Sequence, residues 1–153
     1  MSELRILAPV AGTVVALTGV PDPVFAGEMV GPGAAVEPDR VQSLTAVAPC
    51  DGVVGALHPH AFALEVDGGR SVLVHLGIDT VSLAGLGFEL HVDRGAEVHA
   101  GQRMITWSPV DVAASGMPTV CPVIALQAEP AVVEQAAPVG AHVAAGDHLL
   151  TWH

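Results

Sequence analysis

The 153-residue chain carries 5 basic and 16 acidic residues, a formal net charge of -11, and every one of the bases is arginine. Such a surface repels phosphate backbones and excludes nucleic acid as the expected partner; it favours a basic protein, with the field acting mainly on the rate of encounter. Hydrophobic residues make up 51% of the chain, yet no run reaches the roughly 20 apolar residues that cross a bilayer, so direct membrane insertion is not expected.

Residues 1–12, MSELRILAPVAG, lack the basic start, apolar stretch and small-residue cleavage site of an export signal. A cytoplasmic protein is therefore expected, with Cys50 and Cys121 as reduced, structural thiols. Helical periodicity is almost absent along the chain. Short runs rich in Val, Leu and Ile recur instead, broken by Gly and Pro about every eight to twelve residues, which is the pattern of a sandwich or barrel. Residues 12–17 and 52–57 predict strands. Residues 62–66 and 71–75 predict two more, with Gly68-Gly69 as the tight turn between them. Residues 109–115 predict one short helical turn. No low-complexity linker divides the chain, so a single domain over 1–153 is expected.

Two internal repeats sharpen this reading. LAPVAGTVVAL at 7–17 matches VAPCDGVVGAL at 47–57, and GAEVHAGQRMITW at 95–107 matches GAHVAAGDHLLTW at 140–152. Each unit reads as strand, glycine-permitted turn, strand. Two interleaved copies of each predict a pseudo-twofold β structure rather than a solenoid, which needs more copies. The pattern resembles the duplicated barrel-sandwich hybrid: an all-β antiparallel sandwich with internal duplication (a duplicated hybrid motif) and only short helical turns. Biotinyl and lipoyl carriers use a related single unit but require an acceptor lysine, which this chain lacks.

Of the eight histidines, His91, His99, His142, His148 and His153 lie in or beside the turn-rich repeats, where a solvated ring is expected. His58, His60 and His75 differ. A hydrophobic strand delivers His75 to its end, Gly77 lets the backbone approach the ring, and Asp79 follows. His60 leads into the preceding strand, so a hairpin brings His60 and His75 to the same end. Two neighbouring imidazoles suit phosphoryl transfer, where the protein mainly positions and stabilises charge. A neutral imidazole nitrogen is a competent nucleophile near neutral pH, and a second ring can donate a hydrogen bond to the phosphoryl oxygens. Pro59 biases His58 towards extended backbone; in an extended 58–60 segment His58 and His60 would share a face and His58 would join the pair as a third imidazole, whereas a segment that bends there would turn His58 to water.

The run G-x-x-V-L-V-H-L-G-I-D-T-V from Gly69 to Val81 resembles the active-site signature of glucose-type enzyme IIA (EIIA) of the bacterial phosphoenolpyruvate-dependent sugar phosphotransferase system. Further matches are APVAG at 8–12, VPDPVF at 20–25, Val30-Gly31, APCDG at 48–52 and His60-Ala-Phe62, and the similarity runs on to Trp152. The resemblance implies a phosphohistidine transferase component serving sugar transport. It places the phosphoryl acceptor at His75 and the supporting ring at His60, with the carbonyl of Gly77 orienting the acceptor. Asp22 and Asp79 would be the acidic residues near the site, and Phe25 an apolar residue of the docking face. Implied partners are the phosphocarrier HPr as donor and the EIIB domain of a sugar permease as acceptor, with regulatory docking on permeases or metabolic enzymes. No cofactor is required. The chain departs from the family pattern at Leu73 and Leu76, where relatives often carry Phe in the apolar rim, and at His58, where they carry Thr.

Two other functions compete with this reading. His58-Pro-His60 and His75-Leu-Gly-Ile-Asp79 have the H-x-H and H-x-x-x-D spacings of zinc ligands, which suggests a zinc hydrolase of related architecture. The order of the two elements is the reverse of that in such enzymes, and the gap is short. Zinc bound at His60 and His75 without catalysis, completed by a ligand from a partner, is the milder version. A purely regulatory binding protein is the third reading, opposed by the presence of both histidines.

Overall fold

The computed structural model describes residues 2–153; Met1, the first residue of the expected 1–153 domain, lies outside the described residues. In chain order the elements begin with β1 (Leu4–Leu7), β2 (Gly12–Val15), α1 (Pro23–Ala26), β3 (Gly33–Pro38) and β4 (Leu44–Val47). Then come β5 (Gly52–His58), β6 (Ala61–Glu65), β7 (Ser71–His75), β8 (Glu89–Leu90), β9 (Glu97–Val98) and β10 (Arg103–Trp107). The chain closes with α2 (Pro109–Ala114), β11 (Cys121–Ala125), β12 (Val133–Gln135), β13 (His142–Val143) and β14 (His148–Trp152). One eight-stranded sheet has the order β13-β2-β3-β11-β7-β6-β5-β9, and two three-stranded sheets have the orders β1-β14-β12 and β4-β10-β8. Every pairing between these strands is antiparallel. The all-β expectation holds, and the helix expected over 109–115 is α2, capped by Ser108 Oγ accepting from Asp111 N–H at 3.1 Å.

The repeats fold as a pseudo-twofold pair, residue for residue. Leu4 faces Trp152 as Leu44 faces Trp107. Each of these ladders skips one residue, Leu149 in one and Met104 in the other, and both are fully buried. Gly12 faces Val143 as Gly52 faces Val98. The two halves also bond to each other reciprocally: Leu7 N–H donates to Pro49 O at 2.8 Å and Val47 N–H to Pro9 O at 2.9 Å. Neither half could bury its own apolar face alone. Together they enclose Ile6, Val14, Phe62, Leu64, Trp107, Leu150 and their neighbours in the main core.

Two central strands escaped the sequence reading. GAAVEP of β3 is built mostly on Gly and Ala, CPVIA of β11 is interrupted by Pro122, and both lack alternation because they are buried almost throughout. Pro122 is tolerated in β11 because β7 pairs only with Val123, Ile124 and Ala125. A second, smaller core lies on this side of the sheet, where Leu17, Val20, Phe25, Ile78, Val120 and Ile124 pack together. It carries the backbone around His75.

Candidate functional site

The β6–β7 hairpin has Ala61 opposite His75 at one end and Glu65 opposite Ser71 at the other. Its turn uses Gly68 (φ 45) and Gly69 (φ 89), conformations that glycine adopts at no steric cost. Arg70 clamps the turn, its Nε and Nη2 each donating to the Asp67 carboxylate at 2.8 Å. On the other side of β6, His58 lies opposite Ala61, so Pro59 and His60 are the two residues of a tight turn joining β5 to β6. Of the two conformations open to residues 58–60, the structure takes the bend: the proline serves the turn, whose geometry its fixed φ suits.

The rings converge all the same. Directly opposed residues of an antiparallel ladder share a face, so His58, Ala61 and His75 form one row across three strands. Ala61, only 4% exposed, leaves room above its methyl group. His60 and His75 have ring centroids 5.0 Å apart with planes at 73°. The His58 and His60 centroids are 5.8 Å apart at 31°. The Phe25 ring packs on His75 at 5.3 Å.

The turn after β7 orients the acceptor candidate. His75 Nδ1 lies 2.6 Å from Gly77 O. A carbonyl only accepts, so Nδ1 carries the proton and the lone pair of the neutral ring is on Nε2. Gly77 sits at φ +76, and a Cβ there would come within 2.7 Å of Thr80 Cγ2 and 3.0 Å of Pro118 O. The loop is pinned by Ile78 N–H donating to Pro118 O at 3.0 Å and by Thr80 Oγ1 donating to Leu76 O at 2.8 Å. Leu76 N–H in turn donates to His60 O at 2.8 Å, which ties the two histidine turns together.

Burial lowers the pKa of His75; the Gly77 carbonyl and the Asp22 and Asp79 carboxylates act in the opposite direction. Burial, then the neighbouring His75 and His58, brings His60 down to about 4. Both rings are therefore neutral near pH 7. Asp22 also caps α1, its Oδ1 accepting from Val24 N–H at 2.9 Å. Asp79 stands exposed in a left-handed turn at φ 63.

Phe25 is 8% exposed and lies in the smaller core, so it supports the His75 ring from beneath. The apolar surface comes instead from its exposed neighbours Val24 and Met29, from Val81 just after Asp79, and from Leu86. Leu86 follows Gly85, which packs against Pro59. Leu76 is fully buried in the main core and forms no part of a rim; Leu73 is half-buried against the smaller core. The expectation of solvated rings also fails at two other histidines. His91 is half-buried with Nε2 on Thr106 Oγ1 at 2.7 Å, and His148 bonds the Leu150 carbonyl at 3.0 Å. Sequence reasoning passed over Pro118 and Ala61; nothing local marks either, since Pro118 acts across the fold and Ala61 by being small.

A zinc hydrolase finds no closed ligand set here: among the described residues no three His, Cys, Asp or Glu side chains converge in an arrangement that could hold a metal. A surface groove of about 650 Å³, lined by residues including Val15, Glu37, Arg40, Met117 and Val120, leaves out the three histidines. Exposed Val24, Met29, Val81 and Leu86 add apolar surface of the kind found in protein-docking faces.

Residues 4–131 match the family model described as phosphoenolpyruvate-dependent sugar phosphotransferase system, EIIA 1. The chain belongs to this EIIA family. The glucose-specific EIIBCA component of Corynebacterium glutamicum is 41% identical over 123 residues, which are 79% of this chain and 18% of that protein. The glucose-specific EIIA component of Bacillus cereus is 37% identical over 125 residues, 80% of this chain and 74% of that one. Glucose permease IIA from Mycoplasma capricolum superposes with a TM-score of 0.87 at 33% identity, covering 99% of this chain and 96% of that one. The EIIA chain thus spans less than a fifth of the multidomain relatives, whose names add B and C components. No helix among the described residues is long and apolar enough to cross a membrane.

Proposed function

We propose that the chain is a phosphoryl carrier of the sugar phosphotransferase system, with Nε2 of His75 as the acceptor atom. The observation that carries this is the 2.6 Å contact between His75 Nδ1 and Gly77 O, which commits the proton to Nδ1 and leaves Nε2 as the nucleophile. The donor is the phosphohistidine of HPr. The lone pair of Nε2 forms the new N–P bond while the donor's N–P bond breaks and its electron pair returns to the donor ring. The transfer is in-line and loose, so positioning and charge stabilisation are the main protein contributions. The product ring carries phosphorus on Nε2 and hydrogen on Nδ1, and is cationic. The Gly77 carbonyl and the Asp22 and Asp79 carboxylates, which already favour positive charge on this ring, stabilise that cation. His60, neutral with its pKa near 4, donates an N–H to the phosphoryl oxygens. In the second half-reaction a thiolate of the EIIB domain attacks phosphorus, the N–P bond breaks, and the His75 ring returns to neutrality.

HPr and EIIB would dock in turn on the rim of Val24, Met29, Val81 and Leu86, and regulatory contacts with permeases or metabolic enzymes would use the same face. The chemistry uses imidazole alone and runs in the cytoplasm, where phosphoenolpyruvate is available. Zinc on His60 and His75 would have only two protein ligands, so it would need further ligands from a docked partner. Incubation with phosphoenolpyruvate, enzyme I and HPr is expected to add one acid-labile phosphate. His75→Ala should take up none, whereas His60→Gln should accept phosphate and pass it on slowly. Labelling retained in His75→Ala would overturn the assignment.

A further inference from the structure

The tautomer of His75 is fixed by Gly77 O, but none of the hydrogen bonds among the described residues engages the His60 ring. His60 therefore has a free choice of which nitrogen carries its one proton. Only one choice serves transfer. The nitrogen facing the phosphoryl group must hold the hydrogen, and the other then presents a lone pair that needs a donor. A second imidazole stands beside that ring: His58, across Pro59 in the same turn, with its centroid 5.8 Å from that of His60 and the planes tilted by only 31°. This separation is closed by a small ring rotation or by one bridging water.

We propose that His58 is a positioning residue for phosphoryl transfer: its N–H donates to the outer nitrogen of His60 and so holds the tautomer whose inner N–H meets the phosphoryl oxygens. The inference rests on the phosphoryl-carrier reading, which it deepens, and on three features of the fold. The tight turn joins His58, the last residue of β5, to His60 through Pro59 alone, so their spacing does not depend on a long flexible segment. Register puts His58 on the same sheet face as His75, separated by the methyl group of Ala61. His58 is exposed, so its ring is not committed to packing elsewhere. The charge environment makes the extra donor useful. A phosphoryl dianion would enter a site that already faces Asp22 and Asp79, in a chain with no lysine, and neutral N–H donors must offset that repulsion.

The test reads the His60 ring by long-range 1H–15N correlation, before and after phosphorylation, in the full chain and in His58→Ala and His58→Gln. The wild-type ring should show one dominant tautomer, with its proton on the nitrogen that faces the phosphoryl group. His58→Ala should mix the tautomers and slow transfer from phospho-HPr roughly fivefold, the loss expected for one neutral hydrogen bond. His58→Gln, whose amide can still donate, should recover most of both. Unfolding midpoints of the two variants should match, because the site is an exposed turn. A His60 tautomer and transfer rate unchanged in His58→Ala would overturn the proposal. The spectrum of the unphosphorylated chain decides the His58 contact even if no phosphate is taken up, in which case the carrier reading alone fails.

Discussion

Gly77 O accepts from His75 Nδ1 at 2.6 Å, while the backbone that presents this carbonyl turns through a left-handed conformation at φ +76. Orientation of the His75 ring thus depends on a residue that must lack a Cβ. A methyl group at position 77 would sit 2.7 Å from Thr80 Cγ2 and 3.0 Å from Pro118 O. Gly77→Ala should therefore destabilise the fold by about 1–3 kcal/mol and, independently, slow phosphoryl acceptance by more than tenfold through misplacement of Nε2. Urea unfolding and a labelling time course measure the two effects. Wild-type labelling in a destabilised variant would show that the carbonyl does not orient the ring.

Acid should weaken the fold through the histidine pair. In the unfolded chain both rings titrate near 6.5, whereas folding lowers His75 and takes His60 to about 4. Between these values the unfolded state binds more protons, so stability rises with pH across the window and is lost as pH falls through it. The urea midpoint should drop progressively from about pH 6.5 to about pH 4, and His60→Gln should show a shallower slope. An identical slope in the variant would place the acid sensitivity elsewhere.

Association with HPr should be steered by charge. With a formal charge of -11 and no lysine, the chain should attract a basic donor surface, and the association rate should fall as salt shortens the range of the field. Stopped-flow measurement across ionic strength checks this. A flat profile would mean that the apolar rim alone governs encounter.

The thiols should be inert. Cys50 and Cys121 are both buried, and desolvation pushes each up to about 12, far from the thiolate needed for reaction. An aromatic disulfide reagent should titrate neither in the folded chain and both in denaturant. A rapid reaction in native buffer would contradict the packing around one of them.

Much of this protein could be read from its sequence because the deciding signals are local or repeated. The matched pairs 7–17 with 47–57 and 95–107 with 140–152 encode the pseudo-twofold, since equal sequences build equal ladders. The Gly68-Gly69 turn sets the register that brings His75 to the end of β7. What lay beyond the sequence is what depends on contacts between distant segments. The strands of β3 and β11 are hidden because full burial removes alternation, and because β3 is built mostly on Gly and Ala while Pro122 interrupts β11. Pro118 holds the Gly77 turn only because β11 delivers it there. The 58–60 segment shows the division most sharply. Proline before a histidine suits an extended strand or a turn about equally, and it is pairing of His58 with Ala61, already paired with His75, that selects the turn and sets the three rings side by side.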